Sequence, residues 1–152
     1  VILVDREREG FGSTAASTAM LQWEIDLPLR RLAELYGFEK AADVYRRSFK
    51  AVEGLIESVA TLGLGSAFHP RDTVYLAAGD VGPPELREEC ALRVKAGLPG
   101  QLLDHTTLLS HYGFDRAAAI VSPGSAEGDP LSLCHALLHV AAQRGARLVR
   151  GE

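Results

Sequence analysis

The sequence predicts an α/β fold, of the α+β kind within this stretch, in which strands and helices alternate along 152 residues. The first observation is the β-branched and aliphatic run at residues 1–4, which is typical of a strand buried on both faces of a parallel sheet. The second is a long stretch at residues 39–62 with the apolar periodicity of a helix. The third is a pair of later strand-like runs, at residues 73–78 and 117–121, with helix start and stop signals around them.

The first strand ends at Asp5, and a segment of small residues follows it. Residues 10–19 contain two glycines and four hydroxyl side chains but little bulk, so their backbone and hydroxyls can lie close against a ligand. After this segment, Asp26 is the predicted N-cap of a short helix. Pro28 falls in its first turn, and Gly37 marks its end.

The helix at residues 39–62 is the clearest element. It spans about six turns at 3.6 residues per turn, and Gly63 is its stop signal. Its apolar positions alternate spacings of four and three, at Tyr45, Phe49, Val52, Ile56 and Val59. The basic side chains elsewhere on the wheel, at Arg46, Arg47 and Lys50, predict a solvated face.

The strand at residues 73–78 is entered from residues 69–70 and followed by a helix at residues 82–96, which begins on Gly82 and two prolines. Asp104 then caps a short helix that reaches Tyr112.

The strand at residues 117–121 is followed by the last helix, which opens at Asp129 and Pro130 and closes at Gly145. Residues 147–150 read as the start of a further strand.

Charge and cysteine content exclude several classes of function. Sixteen basic against 20 acidic residues give a formal charge of −4, without the basic footprint that nucleic-acid binding needs. The apolar runs are far shorter than the roughly 18 residues of a membrane span, so none is expected. Two cysteines outside any CxxC pair favour reduced thiols and a cytoplasmic protein.

Four other features allow both a functional and a structural interpretation. His135 and His139 have the i, i+4 spacing of metal ligands, but with Ser132 and Gln143 they trace the polar stripe of the last helix. A solvated face is favoured, and no metal is expected. Surface or capping roles are favoured for His105 and His111, and core packing for Tyr75. Trp23 either covers a cofactor or anchors the core.

The most informative arrangement is a strand that ends in Asp5 before a small, hydroxyl-rich loop. In dinucleotide-binding folds, an acidic residue at the end of the second strand accepts hydrogen bonds from a ribose. The phosphate-binding GxGxxG is absent from the 152 residues. VILVDRE followed by GFGSTAASTAML resembles the second strand and flavin-contacting loop of FAD-dependent oxidoreductases of the glycine and D-amino acid oxidase type. The stretch from GDPLSL to GARLV is similar to that family's return from substrate domain to FAD domain.

The resemblance implies a partial Rossmann-like FAD-binding layer with a predominantly helical substrate or cap region. The chain would be a single partial domain, with the FAD-binding strand and loop at 1–25, the helical and substrate part at 26–128, and the return helix and strand at 129–152. It would be an internal fragment that lacks the N-terminal GxGxxG strand-turn and the C-terminal half. We therefore expect the isolated chain to bind FAD weakly or not at all.

The resemblance also implies which residues approach the cofactor. Asp5, with Arg6, would face the adenosine ribose. The residues that would line the pyrophosphate and flavin are Ser13, Thr14, Ala15, Ala16 and Ser17. No residue is assigned as a catalytic acid or base.

The implied function is oxidation of a small amine, amino acid or hydroxy compound by hydride transfer to the flavin. The expected partners are a small-molecule substrate and, through exposed sheet edges, a second copy of the chain. The alternative is a non-enzymatic helical domain that binds another protein. A metal-dependent hydrolase that uses His135 and His139 is a more distant one.

Overall fold

A computed structural model describes residues 1–64 and 68–150. Six strands and five helices are assigned within these ranges. In chain order they are β1 (Ile2–Asp5), β2 (Met20–Leu21), α1 (Leu29–Tyr36), α2 (Phe38–Thr61), β3 (Phe68–Leu76), α3 (Pro83–Lys95), β4 (Gln101–Asp104), α4 (His105–Tyr112), β5 (Ala118–Gly128), α5 (Pro130–Gln143) and β6 (Arg147–Arg150). The predicted mixture of helices and strands is confirmed.

The chain divides into two compact units. Unit 1 comprises Val1–Leu21, Leu55–His69 and Ala126–Glu152. Unit 2 comprises Gln22–Gly54 and Pro70–Ser125. Each unit therefore collects segments that are far apart in sequence.

Unit 1 contains a parallel pair of strands. β1 pairs with β6, with Leu3 opposite Leu148 and Asp5 opposite Arg150. The parallel arrangement expected for the first strand is therefore confirmed, but its burial on both faces is wrong, because every residue of β1 is exposed. The reason is that β6 is the one strand paired with β1 among the described residues, so the apolar side chains of β1 lack cover on several sides.

Strands β2, β3, β4 and β5 form a second sheet, in which β5 pairs with each of the others. In unit 1, β2 runs antiparallel to β5, with Met20 opposite Glu127. In unit 2, β4 runs antiparallel to β5, with Leu103 opposite Ala119. On the unit 2 part of this sheet, Ala118 and Ile120 pack with Ala77 and with two residues of α3, Leu86 and Cys90. Tyr75 packs against the same cluster, so its predicted core role is confirmed.

Aromatic side chains form the other part of the unit 2 core. Trp23 is fully buried, and the rings of Tyr45 and Phe49 meet it edge-on at centroid distances of 6.3 and 5.4 Å. The Trp23 indole Nε1 donates a hydrogen bond to the Pro123 carbonyl at 2.9 Å. Trp23 is thus a core anchor. Burial raises the pKa of Tyr45 above its ordinary range.

β5 has a glycine with a positive φ where it passes this aromatic cluster. Gly124 has a φ of 96°, and a Cβ there would lie 2.7 Å from Cε2 of Phe49. Glycine is therefore required both by the backbone conformation and by the close packing of the ring.

A buried ionic network joins α3 to the start of α1. Arg93 and Glu89 are only 2% and 1% exposed, and Arg93 Nε donates to Glu89 Oε1 at 2.8 Å. Arg93 Nη1 also donates to Glu24 Oε1 at 3.3 Å and to Ser122 Oγ at 3.2 Å. The guanidinium lies 5.4 Å from the Trp23 ring centroid. One cation therefore connects two carboxylates, a sheet hydroxyl and the aromatic core.

The same network corrects the predicted N-cap of the first helix. α1 has Pro28 at its N-cap position, and no side-chain hydrogen bond is made there by Asp26. Instead the backbone N–H groups of Leu29 and Arg30 donate to the two carboxylate oxygens of Glu89 at 3.1 and 2.7 Å. A buried carboxylate from a distant helix thus replaces the local cap, because it satisfies two free amides and compensates the positive end of the helix.

The other predicted caps are confirmed. Asp104 accepts a hydrogen bond from the backbone N–H of Thr107 at 2.8 Å, which lowers the pKa of this carboxyl. The Asp129 carboxylate accepts hydrogen bonds from the hydroxyl of Ser132, at 2.6 Å, and from the backbone N–H of Leu131. These contacts lower the pKa of Asp129. Both helices therefore begin where the sequence placed them.

Several strand boundaries and one surface residue differ from the predictions. β2 and β4 were not predicted, and β3 and β5 are longer than the runs that indicated them, since β3 already includes residues 69–70. Arg46 is half-buried, because its Nε donates to the Ala96 carbonyl at 2.8 Å, whereas Arg47 and Lys50 are exposed as expected. Within residues 1–64 and 68–150, no helix has the length and apolarity needed to cross a membrane.

We predict that Arg93→Met strongly destabilises unit 2. The substitution leaves Glu89 and Glu24 as buried carboxylates without their cation, which costs about 3–5 kcal/mol of unfolding free energy. Trp23 is the single tryptophan of the chain and lies in this core, so its fluorescence during urea unfolding reports the effect. Arg87→Met, an exposed change on the same helix, is the matched control and should cost less than about 0.5 kcal/mol. Equal losses in the two variants would contradict a structural role for the network.

Candidate active site

The predicted ribose ligand, Asp5, is the last residue of β1 and lies at the carboxyl end of the parallel pair. Its Oδ1 accepts a hydrogen bond from the backbone N–H of Glu7 at 3.1 Å, which turns the chain away from the strand. The neighbouring Arg6 is exposed and pairs with the side chain of Glu7 at 3.3 Å. Both predicted residues are thus accessible at the strand end, where ligands of open parallel sheets bind.

A cavity of about 180 Å³ lies beside this strand end. Its lining is mostly apolar, comes mainly from β1, β6 and α5, and includes the acidic residues Asp5 and Glu9. The wall residues are Leu3, Val4, Cys134, Leu138, Leu148 and Val149. A mostly apolar lining with a few polar groups is typical of small-molecule sites.

The loop after β1 is fixed to α5 and β6 by three contacts. The carboxylate of Glu9 pairs with the Arg150 guanidinium at 3.2 Å, at the end of β6. The Nε2 of His135, on α5, lies 3.0 Å from the Glu9 carbonyl oxygen. Gly10 has a φ of 80°, and a Cβ at this position would approach Cδ1 of Leu131 to 2.7 Å. The positive φ favours glycine at this position, and a Cβ there would also require the Leu131 side chain to move.

Charge and aromatic stacking add to the same attachment. The Arg150 hydrogen bond is the main reason why the pKa of Glu9 lies below its usual range. Phe11 is exposed, and its ring lies 6.3 Å from the His135 ring, while the Arg8 guanidinium lies 4.4 Å from the centroid of Phe11.

The remaining predicted residues form two consecutive turns. The backbone N–H of Ala16 donates to the Ser13 carbonyl, and that of Ser17 donates to the Thr14 carbonyl, at 3.2 and 3.3 Å. Four of the five predicted side chains are exposed, and Thr14 is half-buried. Small exposed side chains leave the backbone of the turn, including Ala15, open to a ligand.

The turn leads into β2 through a residue with an unusual backbone. Ala19 has a φ of 65°, the one positive value among the described non-glycine residues. Its N–H donates to Ser17 Oγ at 3.2 Å, and its carbonyl accepts the N–H of Gly128 at 3.0 Å. These two hydrogen bonds hold a conformation that L-residues rarely adopt, as is common beside functional sites.

The histidines adopt the roles that the sequence favoured. Ser132, His135, His139 and Gln143 are all exposed, so the polar stripe of α5 is confirmed. His135 contacts the Glu9 carbonyl, and His139 lies 3.0 Å from the Gln143 side-chain nitrogen. In the described part of the chain, no group of three or more His, Cys, Asp or Glu side chains is arranged to hold a metal ion. His105 pairs with Asp115 at 3.0 Å on the surface.

Sequence reasoning missed Glu9, Gly10 and Arg150. The sequence contains one indication of the Glu9–Arg150 contact. If the strands that end in Asp5 and Arg150 pair in parallel, the basic residue lies beside the acidic loop that follows Asp5. That signal needs the pairing of strands more than 140 residues apart, which local patterns do not contain.

This geometry agrees with the comparison with known families. The model of the FAD dependent oxidoreductase family matches residues 1–152. The chain belongs to this family. No curated protein matches the chain.

Solved structures of two oxidases and a deaminase share the fold at low sequence identity. Glycine oxidase from Geobacillus kaustophilus has a TM-score of 0.69 and 20% identity, over 98% of this chain and 39% of that one. L-amino acid deaminase from Proteus vulgaris has a TM-score of 0.72 and 12% identity, over 99% and 38%. L-α-glycerophosphate oxidase from Mycoplasma pneumoniae, a structure with FAD bound, has a TM-score of 0.66 and 14% identity, over 98% and 38%. The chain therefore spans less than two fifths of these proteins.

The residues at the end of β1 fit the chemistry of FAD. Asp5 offers an exposed carboxylate, the group that accepts hydrogen bonds from ribose hydroxyls at this position of dinucleotide-binding folds. The turn at residues 13–17 offers backbone N–H groups and hydroxyls with little steric hindrance. At Gly12 the space that a Cβ would enter is open. In this FAD-dependent oxidoreductase chain, both halves of the predicted set thus have suitable exposure and donor or acceptor groups.

We predict that Arg150 determines the titration of Glu9. In the intact pair the Arg150 hydrogen bond is the largest cause that lowers the pKa of the Glu9 carboxyl below its reference value of 4.5, so Arg150→Gln should raise its titration midpoint. A carboxyl-detected NMR titration measures this change. Arg147→Gln, an exposed change on the same strand, should leave the midpoint of Glu9 where it is.

The sign of the linked stability follows from the lowered pKa. Glu9 contributes stability above the unfolded-state pKa near 4.5, and the contribution disappears as the pH falls through the lower folded-state pKa. Arg150→Gln should therefore flatten the acid side of the stability profile. An unchanged midpoint in Arg150→Gln would show that the pair is not formed in solution.

Proposed function

We propose that the intact protein oxidises a small amine, amino acid or hydroxy compound by hydride transfer to FAD. The observation that carries this proposal is the exposed carboxylate of Asp5 at the end of a parallel strand, beside an exposed turn of small residues, in a chain of the FAD-dependent oxidoreductase family. The substrate class is supported by the names of similar structures, which include a glycine oxidase and an α-glycerophosphate oxidase.

The roles of the residues follow from their chemistry. Asp5 accepts hydrogen bonds from ribose hydroxyls, and the exposed guanidinium of Arg6 provides positive charge next to it. The residues that bring N–H groups and hydroxyls to the pyrophosphate and flavin are Ser13, Thr14, Ala15, Ala16 and Ser17. The bound flavin would supply the redox chemistry, as the acceptor of a hydride equivalent.

The attachment of the loop supports the same role. Glu9, His135 and Gly10 fix the start of the loop against α5 and β6, so that the turn at residues 13–17 has a defined position before a ligand arrives. Such preorganisation lowers the entropic cost of binding.

The proposal extends to other properties of the intact protein. A charge of −4 and two unpaired cysteines support a cytoplasmic protein that does not bind nucleic acid. The exposed side of β1 supports pairing with a further strand or a second copy. The segments at 1–25, 26–128 and 129–152 remain our proposed division into cofactor, substrate and return parts.

The alternative of a helical interaction domain lacks support in α2, because Tyr45 and Val52 bury its apolar side within unit 2.

The proposed activity predicts a characteristic flavin spectrum. The protein expressed from its complete coding sequence should bind FAD and show flavin absorption bands. Under anaerobic conditions, these bands should bleach with one of three substrate sets: small amines, amino acids or hydroxy acids. A protein that binds FAD but is not reduced by any set would contradict the substrate class, and one that binds no FAD would contradict the proposal as a whole.

Asp5 provides a sharper test of the cofactor site. We expect Asp5→Ala to weaken FAD binding of the intact protein about tenfold or more, because a charge-assisted hydrogen bond to the ribose is lost. Asp26→Ala, which removes an exposed carboxylate outside the site, is the matched control and should leave the Kd unchanged.

The 152-residue chain alone should bind FAD much more weakly than the intact protein, since it contains no GxGxxG turn. Micromolar binding by the chain alone would refute that expectation.

A further inference from the structure

Unit 2 contains a cavity of about 760 Å³ that the cofactor site does not use. It lies against β3, β4 and β5 and is bordered by α4. Three apolar side chains, Leu103, Val121 and Pro123, form part of its wall. The volume is in the range of small-molecule sites, which are about 300–1,000 Å³.

The polar groups of this cavity share one electrostatic character. They comprise one carboxylate and four uncharged or weakly basic side chains, with no Lys or Arg among the lining residues: Asp72, Gln101, Thr107, His111 and Tyr112. Asp72 is exposed, and no described residue forms a hydrogen bond or an ion pair with its carboxylate. A negative charge that the protein leaves uncompensated at a cavity favours a cationic ligand.

Two further features favour positive charge. His111 and Tyr112 belong to the last turn of α4, where the helix dipole places partial negative charge. Tyr112 is 42% exposed and lines the cavity, and an aromatic ring attracts a cation that lies over its face. At the other end of α4, the carboxylate of Asp104 already caps the helix, so the two ends differ in polarity.

A neighbouring cavity provides a contrast. It measures about 280 Å³ and shares Gln101 and Thr107 with the larger one, but it contains Arg87 as well as Asp104. Opposite charges are thus both present there, whereas the larger cavity has a carboxylate alone. The preference for a cation belongs to the larger cavity.

We propose that the 760 Å³ cavity binds a small organic cation, with its ammonium group between Asp72 and the Tyr112 ring and its apolar part against Leu103 and Val121. The carboxylate supplies the charge, the ring supplies a cation–π contact, and the apolar wall removes hydrocarbon from water. The cavity lies within the proposed substrate segment 26–128, and binding of the cation there requires neither FAD nor any residue of unit 1.

The proposal is tested with three probes of the same size and different charge. Benzylamine in its protonated form, benzyl alcohol and benzoate are titrated into the 152-residue chain at pH 8, where an ordinary imidazole is neutral. Binding is followed by calorimetry and by ligand-observed NMR. We expect benzylammonium to bind at least tenfold more tightly than the alcohol, and benzoate not to bind. Equal affinity for the three probes would overturn the proposal.

Matched variants locate the site. Asp72→Asn should weaken benzylammonium binding about fivefold to tenfold, the effect of losing one charge-assisted contact, and Tyr112→Leu should weaken it severalfold. Asp80→Asn removes an exposed carboxylate that does not line the cavity, and it should have no effect. Asp72 is on the surface, so its variant should retain the wild-type unfolding midpoint. If Asp72→Asn and Asp80→Asn bind the probe equally well, the cation is not bound at this cavity.

Discussion

The buried guanidinium of Arg93 is the contact on which unit 2 depends. A charge that is 2% exposed requires partners, and Arg93 has them in Glu89, Glu24 and Ser122, which come from three different parts of the chain. Glu89 in turn caps α1, so the same ion pair determines where that helix begins. The aromatic ring of Trp23 covers the cation. Removal of one member would leave the others buried without compensation, and the network therefore acts as a unit.

Unit 1 is organised by a different constraint, the parallel pairing of β1 with β6. Their carboxyl ends place Asp5 beside Arg150, and Arg150 then binds Glu9 in the loop that follows Asp5. The loop is thus fixed by the strand that returns at the far end of the sequence. The start of the loop is therefore positioned by this tertiary pairing, although the residues proposed to contact a cofactor all lie within the first 17 residues.

The sequence permitted the prediction of those elements whose signals are local. The periodicity of α2, the caps Asp104 and Asp129, and the strand that ends in Asp5 all agree with the structure to within a residue or two. Strand β2 was not predicted, because a two-residue strand has no periodicity. It is defined only by the pairing of Met20 and Leu21 with β5. The cap on α1 was not predicted, because the hydrogen-bond acceptor, Glu89, lies 60 residues away from Leu29 in the sequence.

The same distinction between local and long-range signals explains why the cofactor site could be predicted from the sequence and the cavity of unit 2 could not. Asp5 and the turn at residues 13–17 lie close together in sequence, so one family resemblance includes them both. The cavity of unit 2 combines Asp72 from β3 with Tyr112 from α4, two residues whose proximity follows from the order of strands around β5. Unit 2 places the cation Arg93 in its interior between two carboxylates and leaves Asp72 without one. Because Arg93 is held between these two carboxylates, it does not line the cavity, and Asp72 is the charged group that the fold presents there.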